Sequence, residues 1–160
     1  MTQVILKNTH LTFSEDTRFI TQDMVSPYKD MVTHITIPKG VEAINEKAFL
    51  KFKKLIAVDL PDSLTSIEED AFSECTGLTH LSFPDGLTTI GIKSFAGCTG
   101  LTSVSFPDGL TSIRAGAFNR CTGLTSVTFP DGLITIGRGA FYRCTRLTAV
   151  NLPNGVTTID

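Results

Sequence analysis

From Val32 onward, apolar side chains return on a fixed beat, and each beat holds more than one kind of local pattern. The stretch Leu101 to Gly123 shows the pattern. Leu101, Val104 and Phe106 have the L-x-x-L-x-L spacing of a strand that turns alternate side chains inward. Pro107, which has no N–H to donate, ends that strand. Asp108 and Gly109 predict a turn, Asp108 by local hydrogen bonding and Gly109 by reaching φ > 0. Leu110 and Ile113 mark a second, shorter extended segment. Ala117, Phe118 and Cys121 sit at i, i+1, i+4, the spacing of about one helical turn, and Gly123 suits a left-handed cap after it. Lys54 and Arg146 replace that glycine in two units, so those turns are expected to close differently.

The unit recurs every 23 residues. Proline stands at Pro38, Pro61, Pro84, Pro107, Pro130 and Pro153, and cysteine only at Cys75, Cys98, Cys121 and Cys144. Phe49, Phe72, Phe95, Phe118 and Phe141 keep the same step. So short a unit cannot bury its own apolar side chains, but stacked copies put Leu on Leu, Phe on Phe and Cys on Cys in one continuous interior. The expected fold is an α/β repeat solenoid, mainly β, of short strands and short helical turns. Its array covers residues 31–160 in about five and a half units, the last incomplete. Residues 1–30 lack the beat; Val4 to Leu6, Leu11 to Phe13 and Phe19-Ile20 predict an N-terminal β-hairpin cap. At the other end, either the native chain runs on past Asp160 or its last rung is left open.

The strings GAFNRCTGLTSVTFPDGL and GAFYRCTRLTAVNLPNGV resemble the BspA-like leucine-rich repeat, over roughly residues 32–160. The resemblance implies a right-handed leucine-rich-repeat superhelix. It also implies a role in holding other macromolecules, at microbial surfaces or in proteins delivered to hosts. It names no ligand, because the shared positions are the interior ones.

Composition narrows the partners. The 160 residues are 41% apolar, enough to fill a core, and carry a net charge of −2. That balance gives nucleic acid no electrostatic footprint. No apolar run reaches the ~18 residues of a membrane span, and the first residues do not read as a secretory signal. Four cysteines without C-x-x-C spacing are expected as free core thiols, which favours a reducing compartment.

Recognition must then use positions that vary between rungs. On the main strand these form two outward columns, His34, Ala57, His80, Ser103, Ser126, Ala149 and Thr36, Asp59, Ser82, Ser105, Thr128, Asn151. His34, Ile56, Asp59, His80 and Ser82 make the N-terminal rungs the more individual. Beside the columns, threonines from Thr33 to Thr148 form a ladder that fits a solvated sheet without further function. Two histidines on alternate rungs with one carboxylate do not converge on a metal, and Ser82, His80 and Asp59 on a flat sheet lack an oxyanion hole. Neither a metal nor a catalytic set is expected. The turn edge supplies the second candidate patch, a cationic ridge of Lys93, Arg114, Arg120, Arg138, Arg143 and Arg146, with Tyr142 beside the last two. Six strands of about five residues cover roughly 400–500 Å², about half of what each partner buries in a standard interface, so a firm complex needs contacts beyond the sheet.

The sequence reading is a non-enzymatic module, without cofactor or small-molecule substrate, that engages and regulates or inhibits another protein. The expected setting is intracellular, the bacterial cytosol or a host cell reached by signal-peptide-independent secretion. The alternative is a fragment of a bacterial surface adhesin that binds a host or matrix protein.

Overall fold

The computed structural model describes residues 3–159; Met1, Thr2 and Asp160, with the expectation attached to that last residue, lie outside the described residues. In chain order the strands are β1 (Val4–Lys7), β2 (His10–Phe13), β3 (Phe19–Ile20), β4 (His34–Thr36), β5 (Ala43–Ile44), β6 (Ala57–Asp59) and β7 (Ser66–Ile67). There follow β8 (His80–Leu81), β9 (Thr89–Ile90), β10 (Ser103–Ser105), β11 (Ser112–Ile113), β12 (Ser126–Thr128), β13 (Thr135–Ile136) and β14 (Thr158–Ile159). One short helix, α1 (Gln22–Val25), and a 3-10 turn at Ser26–Tyr28 lie between β3 and β4.

Two parallel ladders run along the molecule. The first joins β2, β4, β6 and β8 and resumes as the pair β10–β12; the second joins β3, β5, β7, β9, β11, β13 and β14 in unbroken order. Each residue faces its counterpart one unit on, so Ile35 meets Val58 and Ile113 meets Ile136. The chain is therefore a parallel β-solenoid of about seven turns, mostly β, as its 23-residue beat predicts. β1 and β2 form an antiparallel hairpin from Val4↔Phe13 to Lys7↔His10, and β2 also serves as the first rung of the main ladder.

Inside, Leu101, Leu110, Ile113 and Phe118 are wholly buried, with equivalents on neighbouring rungs. The rings of Phe49, Phe72, Phe95, Phe118 and Phe141 stack in one file at 5.1–5.4 Å. A second file, Phe83, Phe106 and Phe129, meets the first edge to face at 5.6–5.7 Å. The cysteines line the interior beside them. At the C-terminal rung Val150, Leu152 and Ile159 are 40–59% exposed.

Three local expectations are corrected. The helical turn at Ala117–Cys121 is instead a string of tight turns that builds a third ladder. In the first unit the N–H groups of Lys47, Phe49 and Lys51 donate to Glu69, Ala71 and Ser73 of the next rung, at 2.7–2.9 Å. The alternate N–H groups of Ala48, Leu50 and Phe52 donate three residues back. An α-helix would spend every N–H on its own carbonyls and leave the neighbouring rung's unpaired. Left-handed residues at two points of each turn, such as Lys47 and Lys51 (φ 57° and 64°) or Gly116 and Arg120 (66° and 60°), turn alternate groups outward.

Gly123 is not a left-handed cap, because no positive φ occurs there. A Cβ on it would lie 2.3 Å from the Thr99 carbonyl oxygen, so glycine is required by the close approach of the rung behind. Gly109 behaves alike: its φ is not positive, and a Cβ would meet the Asp85 carbonyl at 2.7 Å. The turn itself closes through Leu110, whose N–H donates to the Pro107 carbonyl at 3.0 Å.

Candidate functional site

The outer face of the main sheet gathers all three histidines of the chain into one column. His10 on β2 pairs with His34 on β4, which pairs with Ala57 and then His80. The His10 and His34 rings stand edge to face at 6.4 Å. His10 Nε2 lies 2.8 Å from the Thr36 hydroxyl, which donates to Asp59 Oδ2 at 3.0 Å. The single Thr36 proton is thus spent on Asp59, and His10 Nε2–H supplies the other bond. A chain of donors crosses three rungs and ends on the Asp59 carboxylate. Thr33 and Thr79 hydroxyls hold Nδ1 of His34 and His80, at 2.9 and 2.8 Å.

Ile56, Asp59, His80 and Ser82 are exposed on this face, with His34. Asp59 and Ser82 share a shallow depression with Asp62 and Asp85. Asp59 is hydrogen-bonded to Thr36 and His80 to Thr79, so Ser82, His80 and Asp59 are not wired as a triad. Among the described residues no group of three or more His, Cys, Asp or Glu is arranged to hold a metal ion. The threonines earn a structural role: Thr125 donates its hydroxyl to the Thr102 carbonyl one rung back, and Thr111 to that of Thr88.

The thiols are chemically quiet. Each donates to a phenylalanine carbonyl of the preceding rung, Cys75 to Phe49 and Cys121 to Phe95, both at 3.1 Å. Burial pushes the Cys75 and Cys121 thiols from 9.0 up to about 12, and Cys98 well above 9.0. A thiol held protonated is neither nucleophile nor metal ligand.

The turn edge carries the larger feature, an open cleft of about 690 Å³. Its origin is a change of side-chain size on one rung. Where neighbouring rungs place Ser73-Glu74, Asn119-Arg120 and Tyr142-Arg143, the rung between has Ala96-Gly97. Lys93, Arg120 and Arg143 bring three cations to the cleft against one carboxylate, Glu74, which lies 3.8 Å from Lys51 Nζ on the rung before. The Arg143 guanidinium sits 5.4 Å from the centre of the Tyr142 ring, within cation–π range. Arg138 and Arg146 are exposed on the same edge but do not line the cleft.

The sequence pattern places Lys93, Arg120, Tyr142 and Arg143 on one edge, but it does not show His10 in the outer column or the Ala96-Gly97 gap. His10 was hidden because the first rung is one residue longer: Thr9 bonds Thr33 across 24 positions, not 23. The recurring strings THLTF, THITI and THLSF carry the missing signal, since each histidine follows a threonine at the head of a strand.

Stacked rungs, interior leucines and a threonine-edged outer sheet define a leucine-rich-repeat solenoid. The chain belongs to the BspA-type leucine-rich repeat family, whose model matches six copies over residues 24–122 and 65–160. A leucine-rich repeat protein of Bacteroides ovatus is 36% identical, with a TM-score of 0.73. That match covers 78% of this chain and 32% of the other, so the chain spans about a third of that protein. A leucine-rich repeat protein of T. pallidum is 27% identical with a TM-score of 0.80, covering 95% of this chain and 80% of its own. A leucine-rich cell surface protein of Faecalibacterium prausnitzii, 24% identical with a TM-score of 0.59, covers 92% of this chain and 52% of its own and shares the fold. Among curated proteins nothing matches the chain.

Proposed function

We propose that this chain is a non-enzymatic protein-binding module of a bacterial cell surface, an adhesin-type segment that engages a host or matrix protein. The observation that carries the reading is the turn-edge cleft, where Arg120, Tyr142 and Arg143 combine cations and an aromatic in a recess. Arg and Tyr are enriched in interfaces because they cover large areas and pair with both apolar and anionic groups. The exposed sheet residues His34, Ile56, Asp59, His80 and Ser82 offer contact area beyond the cleft, as a firm complex requires.

The intracellular setting loses its main support. It rested on unpaired cysteines together with first residues that do not read as a secretory signal, yet these thiols are enclosed and hydrogen-bonded to carbonyls, so they need no reducing compartment to stay free. With it goes the basis for a regulator or inhibitor acting inside a host cell, whereas the family's general role at microbial surfaces fits a cationic outer edge.

The test is retention of immobilised matrix and host-surface proteins by the purified chain. Replacing Arg143 and Tyr142 is expected to abolish capture, while Ser103→Ala with Ser126→Ala leaves it intact. The reverse pattern moves the site to the sheet, and capture of nothing by a folded chain sinks the reading.

A further inference from the structure

We infer that the turn-edge cleft receives an extended acidic segment of the partner, with an aromatic or aliphatic side chain seated over Ala96 and Gly97. The inference rests on the protein-binding reading and names the chemistry of what is bound.

Charge gives the sign of the occupant. Lys93, Arg120 and Arg143 surround the cleft, and the one acidic wall residue, Glu74, faces Lys51 at 3.8 Å. The recess is left with a surplus of positive charge on a chain whose net charge is −2. Guanidinium groups bind carboxylates through two parallel N–H donors, so Arg120 and Arg143 suit the side chains of Asp and Glu.

Geometry gives its length. Lys93, Arg120 and Arg143 stand on three successive rungs, about 10 Å from first to last, the reach of three or four residues of extended chain. The volume of about 690 Å³ lies within the range of specific ligand clefts. Floor composition separates a peptide from a sulfated glycan. Ala96 and Gly97 expose little but methyl group and backbone, and the Tyr142 ring, two rungs on, lines the cleft beside the Arg143 guanidinium. That apolar spot is idle for a heparin-like chain and useful for a Phe or Leu between acidic residues.

Arg120 and Arg143 both have left-handed backbones, φ 60° and 61°, and Gly97 holds the same place one rung earlier at 72°. Arg120→Gly with Arg143→Gly therefore removes both charges without backbone strain. The probe is a fluorescein-labelled, end-capped peptide Glu-Glu-Asp-Phe-Glu-Asp, read by fluorescence anisotropy in low salt. Its controls are the same peptide with Lys for each acid and a heparin dodecasaccharide.

Saturable binding of the acidic peptide, at least tenfold tighter than the basic one, is expected. The double glycine variant should weaken it at least tenfold, and Lys53→Ala with Lys54→Ala, an equal charge loss outside the cleft, by less than twofold. Absence of peptide binding overturns the inference, as does equal weakening by both pairs. So does heparin binding tighter than the peptide with the same dependence on the arginines. Failure here with whole-protein capture retained leaves the protein-binding reading standing; loss of capture as well removes both.

Discussion

The Cys121 thiol donates to the carbonyl oxygen of Phe95, 3.1 Å away on the preceding rung, and that carbonyl also accepts the N–H of Cys98. The cysteine fills space and supplies a second donor to a buried acceptor. Cys121→Ala removes both, and is expected to destabilise the fold by about 1–2 kcal/mol. Urea unfolding followed by circular dichroism checks it. A midpoint unchanged from the parent would mean that the neighbouring rungs close the gap.

Alkaline pH should act through the same file. Burial raises the Cys75 and Cys121 thiols from 9.0 to about 12, so between these values the unfolded chain has lost protons that the folded chain keeps. Stability is fully present below pH 9 and falls as pH rises toward 12, by up to about 1.4 kcal/mol per pH unit for each thiol. Melting temperatures of the parent and of a Cys75→Ala, Cys121→Ala double variant should therefore converge across this window. Parallel curves would contradict the mechanism.

Glycines at rung contacts should not be interchangeable. A Cβ on Gly123 would lie 2.3 Å from a backbone oxygen, whereas one on Gly132 would lie 3.2 Å from the Asp108 carbonyl. Gly123→Ala is expected to cost several kcal/mol, or to prevent folding, and Gly132→Ala about 1 kcal/mol or less. Thermal melts of the two variants separate the outcomes; equal losses would show that the rungs shift freely apart.

The phenylalanine file predicts a gradient along the solenoid. Phe95 stacks between Phe72 and Phe118 and meets Phe83 edge on, while half-buried Phe141 meets Phe129 edge on but stacks on one side only, against Phe118. Phe95→Ala should cost about 3–5 kcal/mol, and Phe141→Ala clearly less. Denaturant unfolding of both variants tests the order.

Period and chemistry were legible together where the repeat enforces burial. Pro38 to Pro153 and Cys75 to Cys144 announce stacked rungs, and the interior file of cysteines follows from in-register stacking. Backbone detail was less legible. Lys47, Lys51, Arg120 and Arg143 adopt left-handed φ although nothing in their side chains favours it. The demand comes from carbonyls on the next rung, a tertiary cause that propensity cannot register. Gly123 misled for a related reason, since glycine serves both open φ and close approach, and only the neighbouring Thr99 oxygen tells which applies. On the candidate site, the cations were visible one by one. The recess was not, because it is made by the small Ala96 and Gly97 on a rung that sequence comparison treats as ordinary.

Every ladder meets the next coil at the same place, so the molecule's length is a free variable. Excising Leu101–Gly123 would join Gly100 to Leu124, re-form the joints between neighbours, and bring Tyr142 onto the rung beside Gly97. Loss or gain of one 23-residue unit can thus trim or extend the array by a whole coil. Each event would reshape the outer recess while leaving the interior joinery untouched.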